Sequence, residues 1–183
     1  MFAPFDWTAL HAWTLNLIGQ VPGESDLARL KVLEKVCLGE LPPELAPVNI
    51  PPLPTEEWLF LPDGALREQV WLALGKPPTP SEAEGWILPA CAMVACREYQ
   101  LELAADLLRL MLHLRIAGPV PLEVAEFLAF QQRPGGECGY LNPLQPSPFA
   151  PQDLFSQFTL PTTYAIAHAL RVYAQESFHV AAD

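Results

Sequence analysis

The sequence predicts an all-α domain, an array of helical hairpins. Three observations predict it. Apolar residues recur at three- and four-residue spacing through segments of 10–17 residues. Prolines clustered at 42–54, 77–80 and 143–151 separate those segments, and helix interiors do not hold such clusters. No segment sustains strict apolar–polar alternation, and Val and Ile are few, which speaks against a sheet.

The elements follow in order. A first helix is predicted over 6–18, capped by Asp6, with Leu10, Trp13 and Leu17 on one stripe and Gly19 at its end. A second runs over 26–38, with Ser25 as cap, Leu27, Leu30, Leu33 and Cys37 as its stripe, and Gly39 followed by Pro42 as the stop. A proline-rich connection spans 40–62, and a third helix is predicted over 64–74 behind the Asp63–Gly64 turn. The fourth begins near Pro80, where Thr79 with Glu82 or Ser81 with Glu84 fits a capping box. Pro89 should kink or split that helix, which runs on to about 98. The fifth, over 100–116, is apolar nearly all round and is expected to be central and buried. A sixth covers 121–132, and a seventh covers 162–176 after a second proline-rich connection at 143–161. With 183 residues, 51% of them hydrophobic, one domain with a real core is the expected scale.

Charge and cysteine usage exclude function classes. The formal net charge is −11 and the basic residues are scattered, so nucleic acid and anionic membranes are repelled. No apolar stretch approaches the ~20 residues of a membrane span. The start MFAPFDW lacks a basic leader, and Cys37, Cys91, Cys96 and Cys138 have no zinc-finger spacing. The expectation is a cytoplasmic protein with packed, reduced thiols. Trp7, Trp13, Trp58, Trp71 and Trp86 all fall in the first half, as core residues or as the lining of an apolar pocket or partner surface.

Residues 127–140 read FLAFQQRPGGECGY. Pro134 stops the preceding helix, Gly135 and Gly136 permit positive φ, and Gln132 can bond the backbone of the turn so formed. Phe127 and Leu128 precede Gln132, and Gly136 stands two residues before Cys138. This resembles the QW repeat of the α/α-toroid superfamily, which holds triterpene cyclases and the β subunits of protein prenyltransferases, with Cys138 in the place of the repeat's Trp. The segment FLPDGALREQVW at 60–71 is a shorter likeness. The turn followed by the helix start Leu160, Pro161, Thr162 and Thr163 is also similar to bacterial proteins in which it implies a fold and no activity. The resemblance implies inner and outer helices around a barrel. Seven helices are too few to close one, so it implies a half-barrel completed by a partner protein or a second copy.

The family's chemistry does not transfer intact. The DxDD and DDxxD motifs of terpene cyclases are missing, as are the aspartate-x-cysteine pair of prenyltransferases and the cysteine–histidine pair of lanthipeptide cyclases. Cys138 and His168, with Glu137 or Asp153, would be the zinc ligands the resemblance supports, against a reading in which Cys138 packs where Trp packs. Glu137 adjoins Cys138 and Asp153 lies in a proline-rich stretch, so neither cofactor nor zinc is expected. Tyr164, His168, Arg171 and Gln175 share one helical face, opposite Ile166, Leu170 and Tyr173. That stripe is either a solvated face or a cleft with an acid–base pair. Two functions stand open. One is a binding or scaffold protein whose apolar concave surface holds a peptide, carrier domain or biosynthetic intermediate. The other is an enzyme acting on a hydrophobic or peptide substrate, with Tyr164, His168, Arg171 and Cys138 at its site.

Overall fold

Asp6 starts the first helix as its sequence context predicts. Its carboxylate accepts the Ala9 N–H at 2.9 Å and caps α1, Trp7–Ile18. The structure, a computed structural model, describes residues 5–21, 23–40, 82–113, 115–139 and 159–180. The helix predicted over 64–74, the connections at 41–62 and 143–158, the caps at 79–81, Leu114 and Asp153 lie outside them.

Among the described residues five more helices follow: α2 at Glu24–Cys37, α3 at Glu82–Arg97, α4 at Leu101–His113, α5 at Val120–Phe130 and α6 at Leu160–Val180. Among the described residues there is no strand, only an isolated bridge between Gln132 and Cys138.

The observed bounds correct three expectations. α2 begins before Ser25, with Gly23 as an extended cap that makes no side-chain bond. Glu24 and Asp26 occupy its first turn, where carboxylates complement the helix dipole, so the helix starts without a hydroxyl cap. Pro89 does not split α3, which runs on through it to Arg97, close to the expected end. An interior proline costs about 3 kcal/mol, and burial of Leu88, Ala92, Ala95 and Cys96 on the same helix offsets that cost. α6 extends past both predicted ends, to Leu160, which is fully buried, at its start and to Val180 at its close.

Three helices end in the same way. The N–H of Glu40 reaches the Lys35 carbonyl and that of Gly39 the Val36 carbonyl, with Gly39 at φ +95°. The same pair of bonds recurs after α3 around Tyr99 (φ +56°) and after α4 around Arg115 (φ +53°). These Schellman closures satisfy the last carbonyls and turn the chain sharply. The one at Tyr99 folds α3 and α4 into a hairpin, whereas α1 ends at Gly19 without such a closure, its Leu17 carbonyl accepting the Gln20 and Val21 N–H groups before the chain turns into α2.

α4 and α6 form the most extensive helix pair, and α5 packs on both. Glu102, in the first turn of α4, accepts the Thr162 hydroxyl at 2.9 Å, so α4 and α6 start at the same end. On α4, Leu101, Ala104, Ala105, Leu107, Leu108, Leu110 and Met111 are all buried, as its apolar sequence predicts. They form one apolar cluster with α3, α5, Cys138 and one side of α6 through Ile166, Ala169 and Leu170. A second cluster, of Leu10, Leu30, Leu33 and Val36 with Leu160 and Ala167, joins α1 and α2 to the other side of α6. Trp7 and Trp13 pack against this second cluster, which is a core role.

Leu110 is 1% exposed, in the middle of the most enclosed helix. Leu110→Ala should cost about 2–5 kcal/mol in urea unfolding, through lost transfer energy and the cavity left behind. An unmoved midpoint would place α4 outside the core.

Candidate functional site

The turn after α5 is built from a short set of backbone bonds. The Arg133 N–H donates to the Glu137 carbonyl at 2.8 Å, and the Gly136 N–H donates to the Arg133 carbonyl at 2.9 Å. Gly136 has φ +102°, whereas Gly135 does not enter the left-handed region. The reason for glycine at 136 is double. A Cβ there would overlap the Ala9 carbonyl and stand 2.9 Å from the Leu10 amide nitrogen. The turn therefore lies directly against the backbone of α1.

Gln132 fastens that contact. Its Oε1 accepts the Asp6 N–H at 2.7 Å, and its Nε2 donates to the Asp6 carbonyl at 2.8 Å and to the Gly136 carbonyl at 3.2 Å. One side-chain amide thus binds both backbone groups of the residue that caps α1, and the turn as well. Beyond the turn, the Cys138 N–H donates to the Thr163 hydroxyl at 3.0 Å, and that hydroxyl donates to the Cys138 carbonyl at 3.1 Å. The start of α6 is thereby tied to the end of the turn. Replacing Gly136 by Val should cost about 1–3 kcal/mol in chemical unfolding, from strain at positive φ and the clash with Ala9. A Cβ at Gly135 meets only the flexible Glu137 carboxylate, so Gly135→Ala should stay within about 0.5 kcal/mol of the wild type.

The four sequence-predicted site residues are placed as follows. Cys138 is fully buried in the α3–α6 cluster, and desolvation, with the Glu137 carboxylate beside it, holds its thiol protonated. Arg171 donates from Nε to the Val36 carbonyl at 2.8 Å and from Nη2 to the Cys37 carbonyl at 2.9 Å. Its guanidinium carbon stands 3.9 Å from the Trp7 ring centroid. Arg171 thus closes the C-terminal end of α2, and Gln175 adds a bond of 3.1 Å to the Gly39 carbonyl. Tyr164 is half-buried against the α1–α2 cluster, with its ring 6.0 Å from that of His168. His168 is 8% exposed, and its Nδ1 is buried without a hydrogen-bond partner among the described residues.

The stripe on α6 is therefore no solvated face. Arg171 and Gln175 point at α2, and His168 is enclosed. Tyr164 and Cys138 pack in different apolar clusters, so the structure does not gather the four residues into one group. The remaining cysteines are packed thiols. Burial pushes Cys37 and Cys96 up to about 11 and raises Cys91. Among the described residues no three His, Cys, Asp or Glu side chains group as a metal site would require. No described helix is long and apolar enough to cross a membrane.

Sequence reasoning missed the polar side of α4. Glu102, Asp106 and Arg109 stand four and three residues apart, on one face of a helix read as apolar nearly all round. Arg109 is 6% exposed and pairs with Asp106 at 3.7 Å. Three charges at helical spacing inside an apolar run were the available signal.

Burial first, and the Arg109 charge second, lower His168 to about 3 from 6.5. The unfolded chain takes up that proton near pH 6.5 and the folded chain only near 3. The contribution is therefore fully present above 6.5 and is lost as pH falls towards 3. The urea midpoint should drop between about pH 7.5 and about pH 4.5, and His168→Asn should show a smaller drop over the same interval. Equal drops would mean that His168 is solvated in the folded protein.

Compared with known proteins, the chain matches no family, no curated protein and no solved structure.

Proposed function

We propose that this chain is a helical binding or scaffold protein, a partial α/α toroid that works in the cytoplasm with a second copy or another protein. Its cargo in this reading is a peptide, a carrier domain or a hydrophobic biosynthetic intermediate. One observation carries the reading: Arg171, Gln175 and Cys138 are engaged in holding helices together. Arg171 and Gln175 bond the end of α2, and the Cys138 thiol is sealed in a core. Meanwhile Met93 and Val94 on α3, and Leu122 and Phe130 on α5, present apolar side chains that are 42–57% exposed. Exposed apolar groups of this size favour association with an apolar partner. The turn at 131–138 and the hairpins α1–α2 and α3–α4 support the toroid resemblance.

A second reading keeps the α6 stripe as an enzyme site for a hydrophobic or peptide substrate. The observation favouring it is the enclosed His168 with its unpartnered Nδ1, because buried polar atoms are ordinarily bonded.

Panning a displayed peptide library against the folded protein tests the first reading. Apolar peptides should be retained, and Leu122→Asp with Phe130→Asp should release them while leaving the circular dichroism unchanged. Failure to retain any peptide, or retention indifferent to both substitutions but lost on His168→Asn, would sink the scaffold reading in favour of the second.

A further inference from the structure

The two apolar clusters divide the described helices unevenly. α3, α4, α5 and the turn carrying Cys138 share one large core with α6. α1 and α2 pack around their own smaller core and join α6 through Leu160 and Ala167, while Phe5 and Trp7 at the start of α1 also touch the edge of the larger core. α2 packs substantially on α1 and α6, whereas neither α1 nor α2 makes a substantial helix pair with α3, α4 or α5. Much of what else binds the hairpin is polar and local. Gln132 holds Asp6, Arg171 holds the Val36 and Cys37 carbonyls and covers Trp7, and Gln175 holds Gly39. Hydrogen bonds of this kind are exchangeable for bonds to water once the parts separate, so they fasten less firmly than a shared core. Proteins open preferentially along such seams, in units that coincide with supersecondary motifs.

We propose that the α1–α2 hairpin is a latch that opens from α6 as one unit while α3–α6 stay folded, with Arg171 as its fastening residue. Opening uncovers the buried side of α6, including Leu160, Tyr164 and Ala167, and gives solvent access to the stripe that carries His168. The inference stands on the partition of the core and does not depend on either functional reading.

Native-state hydrogen exchange of the full chain, followed by mass spectrometry at low denaturant, tests it. Amides in 7–18 and 24–37 should exchange through a common opening that is less protected than that of 104–111. Arg171→Ala should speed exchange in both hairpin helices by about tenfold or more and leave 104–111 unchanged. Equal protection of the hairpin and 104–111 in the wild type would overturn the latch, and this comparison decides even where the variant does not fold. Equal acceleration of both regions by Arg171→Ala would overturn the role of Arg171.

Discussion

The carboxamide of Gln132 occupies the point where the start of α1 meets the turn after α5. It binds both backbone groups of Asp6, the residue that caps α1, and one carbonyl of the turn that follows α5. These bonds join residues 126 positions apart. They are possible only because Gly136 lets the turn lie against the Ala9 backbone. From this contact the rest follows in sequence. The turn presents Cys138 to Thr163, Thr163 sets the start of α6, and Thr162 meets Glu102 at the start of α4. A substitution at the glycine therefore acts on α1, α6 and the α4–α6 pair together.

α6 carries the heaviest structural demand. It is the wall between two apolar clusters, and its polar residues are drawn into that role. An arginine with a planar, charged fork can bond two carbonyls at a helix end and still lie over an indole. The same geometry removes it from the pool of groups available to a substrate. Burial has a parallel effect on Cys138 and His168: it favours the uncharged forms, a protonated thiol and a neutral imidazole. Chemistry of the thiolate kind therefore has no foothold at Cys138, and the open questions of function move to the apolar surfaces and to the enclosed imidazole.

Local pattern made much of the fold legible. The caps at Asp6 and Gly39, the enclosure of α4 and the sharp turn at Gly136 all follow from residue type and spacing, because capping, burial and positive φ are decided within a few residues. The errors also have local causes. Pro89 and Ser25 invited a break and a cap, yet burial of neighbouring side chains and the acidic first turn of α2 outweighed them.

By itself, the sequence determined the helical class, the places where α1, α2 and α3 stop, and the turn that Gln132 and Gly136 build. Only the tertiary structure decided what the polar residues do. Tyr164, His168, Arg171 and Gln175 share a helical face whether that face meets water, a substrate or another helix. Periodicity records which residues point together and carries no information about what stands opposite. That partner is α2, distant in the chain, and its free carbonyls determine the use of Arg171 and Gln175. Likewise, the charges of α4 became legible as a partly buried polar seam only once α6 lay beside them with Thr162 and His168.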